Sequence, residues 1–249
     1  MRSLVVVLVA SFSVPAAAES SLGISGAALS FGLTEDEAGA HRASTRATVD
    51  VAVTDVHGVQ GDVLLTETAS GTVGSLAAHL YMSPTGARKY GVFATLADLD
   101  GKAMTWGALG VEGMVQLGDT SSLELSAGLG AADAGGMDYI FGGVSYAREL
   151  TANLDLTASL DLVEFDEAAL RAVSYDAGLT VTYHPDASPL SAYASVTRSG
   201  LTGRDGQAAE TRLGLGITFA FGNSGGVSPT SRSFRTPQPM QPLFRRALW

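Results

Sequence analysis

From about residue 22 onward the chain alternates between apolar and small or polar positions. "NLDLTASLDLV" sets Leu154, Leu156, Ala158, Leu160 and Leu162 on one face, with Asp155, Thr157, Ser159 and Asp161 on the other. "VSYDAGLTVTY" sets Val173, Tyr175, Ala177, Leu179, Val181 and Tyr183 against Ser174, Asp176, Gly178, Thr180 and Thr182. "TRLGLGITFAFGN" sets Leu213, Leu215, Ile217, Phe219 and Phe221 against Gly214, Gly216, Thr218 and Ala220. A period of two is the mark of β-strands. The pattern predicts strands near 22–33, 45–55, 60–69, 72–82, 88–97, 102–116, 121–131, 137–148, 152–163, 170–183, 188–198 and 210–222. That is about twelve strands, with 10 or 14 as alternatives, and closed single-chain barrels favour even numbers. No helical period competes over a comparable stretch; "DEAAL", Asp166 to Leu170, reads as one helical turn in a loop.

The connections alternate too. "DVHGVQG", "SPTGAR", "LGDTSS", "ELTAN" and "HPDASP" are short and rich in turn residues. The other end holds longer stretches, "TEDEAGAHRAST", "EFDEAALR" and "SGLTGRDGQAAE". Prolines keep to the N-terminal segment, the turns and the tail, as an unbroken hydrogen-bond ladder requires.

A soluble sandwich and a membrane barrel both write this alternation. Strands of roughly 10–12 residues fit the roughly 9–11 that a tilted spanning strand needs, against a mode near 5–6 in soluble folds. The non-greasy face is mostly Gly, Ala, Ser, Thr and Asp, poor in the long charged side chains of a water-facing sheet. Tyr175 and Tyr183 share the greasy face at a separation of roughly 20 Å along a tilted strand, close to the height of an apolar membrane band. With Tyr90, Tyr146, Phe219 and Phe221 they are the candidate membrane-interface aromatics. The fold class predicted is all-β: a closed, antiparallel, up-and-down transmembrane β-barrel.

Targeting and composition narrow this further. The chain opens "MRSLVVVLVASFSVPAAAES": a basic residue, an apolar stretch and a small-residue cleavage site. This reads as a secretory signal peptide, residues 1–18. Residues 19–223 form the predicted barrel domain, and 224–249 a disordered periplasmic tail rich in Ser, Pro, Gly and Arg. The chain has no cysteine, so no disulfide staples the fold. Of 15 Lys and Arg, Arg2 lies in the signal and Arg232, Arg235, Arg245 and Arg246 in the tail, leaving 10 against 25 acids in the barrel. Such a body repels nucleic acid.

The end of the last strand, "GITFAF" from Gly216 to Phe221, spaces a glycine and two aromatics. It resembles the signal by which bacterial outer-membrane β-barrel proteins are read by the barrel-assembly machinery. The stretch "YGVFATLADLDGKAMTWGALGVEGMVQLG", Tyr90 to Gly118, resembles a hairpin of porin-like proteins of this kind. The resemblance implies a Gram-negative outer-membrane barrel, with outer-membrane lipid, the assembly machinery and small hydrophilic solutes as partners. It covers the mature barrel by pattern and these two stretches by motif.

The predicted lumen face carries Asp50, Asp62, Glu112, Glu124, Asp155, Asp161 and Asp176, with Arg46, Lys89 and Arg212. Acids dominate, which favours cations or polyhydroxylated neutral solutes. No catalytic residues, metal ligands or cofactor are assigned. Ser75 and His79 share a strand face but stand about 13 Å apart at strand spacing, too far for a nucleophile and its base. "DLDGK", Asp98 to Lys102, is a turn. The expected function is a narrow passive pore for small hydrophilic solutes with a mild cation preference. One alternative is a non-conducting structural barrel working through the loops Thr34–Thr45 and Ser199–Glu210. The other is a soluble exported β-protein.

Overall fold

A computed structural model describes residues 23–133, 136–167, 170–186, 188–222 and 227–248. The predicted signal peptide and the middle of "DEAAL" lie outside them. Twelve strands run in chain order: β1 Ile24–Asp36, β2 His41–Ala52, β3 His57–Thr68, β4 Gly71–Thr85, β5 Arg88–Leu99, β6 Thr105–Gln116, β7 Ser121–Ala132, β8 Met137–Thr151, β9 Leu154–Asp166, β10 Arg171–Tyr183, β11 Leu190–Gly203 and β12 Gln207–Gly222. Each pairs antiparallel with its sequence neighbours, and β1 closes on β12 through partners running from Gly26–Gly222 to Asp36–Arg212. Closure leaves no edge strand, so backbone donors along the wall are satisfied by neighbours.

We call the end where β1 begins and β12 finishes the near rim, and the opposite end the far rim. The outer face is a belt of exposed apolar side chains, among them Leu33, Leu65, Leu76, Leu109, Leu129, Leu213 and Leu215, each half or more exposed. So large a continuous apolar surface is intolerable in water and natural in lipid. Among the described residues no helix is long and apolar enough to cross a membrane.

Two expectations change. The long stretches 34–45 and 199–210 are mostly strand: β1 runs to Asp36, β2 starts at His41, β11 reaches Gly203 and β12 starts at Gln207. Strands of 12 to 16 residues stand above what a membrane requires, and tight turns close them. Glu37 ties one such turn down, accepting from the Thr211 amide at 2.8 Å and from Arg198 at 3.2 Å. The C-terminal tail, expected to be disordered and outside the barrel, lies ordered within it. Residues 227–248 enter from the near rim and reach the far rim, where the Ser70 amide in the β3–β4 turn donates to the Phe244 carbonyl at 3.2 Å.

Candidate functional site: the lumen and the segment inside it

Side chains alternate across the wall, so every second residue of each strand meets the lumen. The structure places the ten predicted lumen residues as follows. Asp50, Asp62, Lys89, Glu112, Glu124 and Arg212 are buried inside the barrel. Asp161 pairs with Arg235, and Asp176 with Arg245. Asp155 sits nearer the near rim, 3.0 Å from His184 Nε2. Arg46 lines the open space described below. Of the predicted interface aromatics, Tyr90, Tyr183, Phe219 and Phe221 are exposed on the outside, near the near rim. Tyr146 and Tyr175 are half-buried, and the Tyr175 ring lies across Gly200 of β11.

The wall carries seven acids and three bases among those ten, and the C-terminal segment adds four arginines. An uncompensated buried charge is very costly, so the segment and the wall hold each other. Arg232 Nη2 stands 3.7 Å from Glu124 and donates to Ser145 Oγ at 3.2 Å. The Arg235 amide donates to Glu124 Oε1 at 2.7 Å while its guanidinium meets Asp161. Arg245 donates to Asp176 at 3.0 Å, and Arg246 to the Ser199 carbonyl at 2.7 Å. Neutral groups add specificity. The Gln60 amide reads the backbone of Phe234 from both sides, accepting from its N–H at 2.8 Å and donating to its C=O at 2.9 Å.

Phe234 also completes an aromatic and ionic nest. Its ring stacks on His79 at a centroid distance of 6.1 Å, and Lys89 Nζ lies 4.7 Å from its centre and 3.9 Å from that of Tyr81. Such cation–π contacts gain strength away from water. His79, fully buried, sits between Glu112 at 2.9 Å and Asp62 at 3.2 Å. Ser75 instead meets Gln238 of the segment at 3.5 Å.

Toward the far rim the lumen stops being polar, a feature sequence reasoning missed. Val73, Phe93, Leu99, Met104, Trp106, Tyr139, Phe141, Val163 and Phe165 all bury there. Met240, Leu243 and Phe244 enter this collar with no exposed surface, and the Phe244 ring lies 4.8 Å from that of Trp106. Leu243 and Phe244 are carried by a short helix, α1 Gln241–Arg245, with Met240 as its N-cap and Pro242 at its start. Inner-face glycines make room for the rings: Phe93 lies over Gly110 and Phe141 over Gly128. The signals were present. Phe93, Trp106, Phe141 and Phe165 fall in the polar phase of their strands, and Met240, Leu243 and Phe244 follow helical i, i+3, i+4 spacing.

The segment does not fill the lumen evenly. It packs against β3–β8, is tied to the rest of the wall through Asp161, Asp176, Ser199 and Asp50, and leaves a slot along β10–β12, β1 and β2. Two neighbouring spaces, which share Thr34, Arg46, Thr180 and Arg212 in their linings, form this slot. One, of about 410 Å³, reaches from Arg42 and Thr66 near the far rim to Thr182 and Thr218 nearer the other rim. The other, of about 260 Å³, lies between Arg235, Arg245 and the wall at Ser159, Ser174 and Thr197. A larger concavity, about 850 Å³, sits by the exposed Leu109, Leu129 and Ile140 of the lipid-facing surface and holds less polar lining. The slot is therefore the hydrophilic space of interest. Among the described residues no group of three His, Cys, Asp or Glu is placed to hold a metal ion.

No protein-family model matches the chain, and a search of curated proteins finds no match. Solved structures do match its fold. The NanC porin superposes with a TM-score of 0.61 at 10% identity, over 77% of this chain and 98% of that one. The KdgM porin, solved in complex with disordered oligogalacturonate, superposes with a TM-score of 0.54 at 10% identity, over 78% of this chain and 99% of that one. The chain has the fold of porin-like outer-membrane proteins: a closed, up-and-down, antiparallel barrel of 12 strands, with its own C-terminal segment lying in the lumen.

Proposed function

We propose that this protein is a narrow passive pore of the outer membrane for small hydrophilic solutes. The observation that carries the reading is the slot: two cavities, bordered by hydroxyls and arginines among other groups, left beside the segment. A space of about 410 Å³ is at the lower end of the roughly 300–1,000 Å³ typical of small-molecule sites, which suits single small solutes. The likeness in fold to porins supports the reading, and the oligogalacturonate complex is a property of KdgM. The mild cation preference expected from the sequence belongs to the wall taken alone. The four arginines of the segment offset the excess of four acids among the ten wall residues, so we infer a weak charge preference for the whole lumen.

A second reading, a non-conducting structural barrel, is favoured by the apolar collar closed around Met240, Leu243 and Phe244. The loops once expected to serve it are short turns. Planar-bilayer recording of the refolded full chain separates the two. Reproducible conductance steps support the pore; their absence, in a barrel whose folding is verified by heat-modifiable migration, leaves the structural reading.

A further inference from the structure

The pore reading leaves open where a solute passes and which groups it meets. We infer that the C-terminal segment is a fixed inner lining: the passage runs between it and the β10–β2 wall, and Arg245 of the segment, with Arg46 of the wall, sets the charge preference of that passage. This rests on the proposed pore.

Three observations carry it. First, the segment is held at every level. It is joined to β12 at the near rim, bonded at mid-height through Gln60 and Glu124, and locked at the far rim by Met240, Leu243 and Phe244, which have no exposed surface. Ordering costs about 1–2 kcal/mol per residue in backbone entropy, so a segment with partners all along its length is a built element rather than a loose end. Second, the acids Asp62, Glu112 and Glu124 stand 2–4% exposed or less at their side chains, beneath the segment, and meet no passing solute. Third, among the charged groups that border the slot, arginines outnumber acids. Arg46, Arg212 and Arg245 line both of its spaces, and the Arg245 side chain keeps 23% of its surface exposed there. Glu67, Asp161 and Asp176 border it too; Asp161 pairs with Arg235, and Asp176 with both Arg245 and Arg212. The segment thus hides one set of charges and presents another.

The absence of cysteine from the chain makes the test clean. Single cysteines are placed on the slot side, Thr180→Cys and Thr197→Cys, and on the covered side, Ser122→Cys and Ser145→Cys, where the serines are 0% and 1% exposed. The folded full-length barrels are treated with a cationic methanethiosulfonate, and labelling is read by mass and by current. The expected result is rapid labelling and reduced current at 180 and 197, with no labelling at 122 and 145. Labelling of the covered pair at a similar rate means that the segment leaves the lumen and overturns the inference, as does an unreactive slot pair. In a potassium chloride gradient, Arg245→Gln is expected to raise the cation-to-anion permeability ratio on the order of twofold. An unchanged ratio, with the covered cysteines still protected, removes Arg245 from the role. A wild-type barrel without current defeats the pore reading itself, while the labelling pattern still decides where the segment lies.

Discussion

Along β4 the inner face reads Val73, Ser75, Ala77, His79 and Tyr81; along β10 it reads Ser174, Asp176, Gly178, Thr180 and Thr182. Both obey the same alternation, and both strands lie in one closed sheet. Yet the first face is almost wholly buried by the C-terminal segment, and the second borders open space. Side-chain volume explains the contrast. The β3–β8 half carries Gln60, His79, Lys89, Phe93, Trp106, Tyr139 and Phe141, groups long enough to reach the segment and hold it. The β10–β2 half carries mainly glycines and hydroxyls, and meets the segment at separate points, Asp176–Arg245, Ser199–Arg246 and Asp50–Ser233. One half of the lumen is thus a protein core with lipid behind it, and the other borders open space.

Breaking the packed half should cost most. Phe244→Ala removes a fully buried ring from Trp106, and a loss of about 3–5 kcal/mol in seating is expected for such a truncation. Trypsin should then cut at Arg232, Arg235, Arg245 and Arg246 in the folded barrel, sites expected to resist in the wild type. Continued resistance would show that the collar does not hold the segment. Gln60→Leu strands the buried N–H and C=O of Phe234, an expected cost of roughly 1–3 kcal/mol read from urea unfolding.

The open half should behave otherwise. Thr180→Val and Thr197→Val border free space and should move stability by no more than about 0.5 kcal/mol, while changing single-channel conductance. A large loss of stability there would mean that this wall is packed as well. The smallest effect lies outside the membrane. Glu37, in the β1–β2 turn, accepts hydrogen bonds from Thr211 and faces Arg198, which holds its carboxyl below the usual carboxylate range. A depressed folded pKa means that the contact contributes above the unfolded value and fades only as pH falls through the folded one. Protection of the Thr211 amide from hydrogen exchange should therefore persist at pH 5 and weaken only at more acid values. Loss already at pH 5 would contradict this.

Much of the wall was legible in the sequence because a period of two allows only one arrangement of faces in a closed sheet. All 12 strands lie where the alternation places them, to within a few residues, and Leu213 to Phe221 face outward as it requires. What could not be read was how the tail and the wall fit together. Serine, proline and arginine signal disorder when nothing is available to pair with them, and the composition of a segment does not reveal the partner waiting 100 or so residues earlier. Arg235 finds Glu124 and Asp161, and Phe244 finds Trp106, only once the barrel has closed. The apolar collar was obscured for a related reason. Phe93 and Phe141 sit in the polar phase of strands whose other face is also apolar, which reads as weakened alternation unless something lies inside to meet them.

A segment that stays in the lumen, with the passage beside it, can be pinned in place without loss of current. Ser75 and Gln238 meet at 3.5 Å on the covered side, so Ser75→Cys with Gln238→Cys, joined by a short bifunctional thiol reagent, pins the segment to β4. The link is expected to form in high yield in the folded barrel, and the linked protein to conduct as the unlinked one does. Failure of the link to form, or a linked barrel that falls silent and recovers when the link is cleaved, would contradict it.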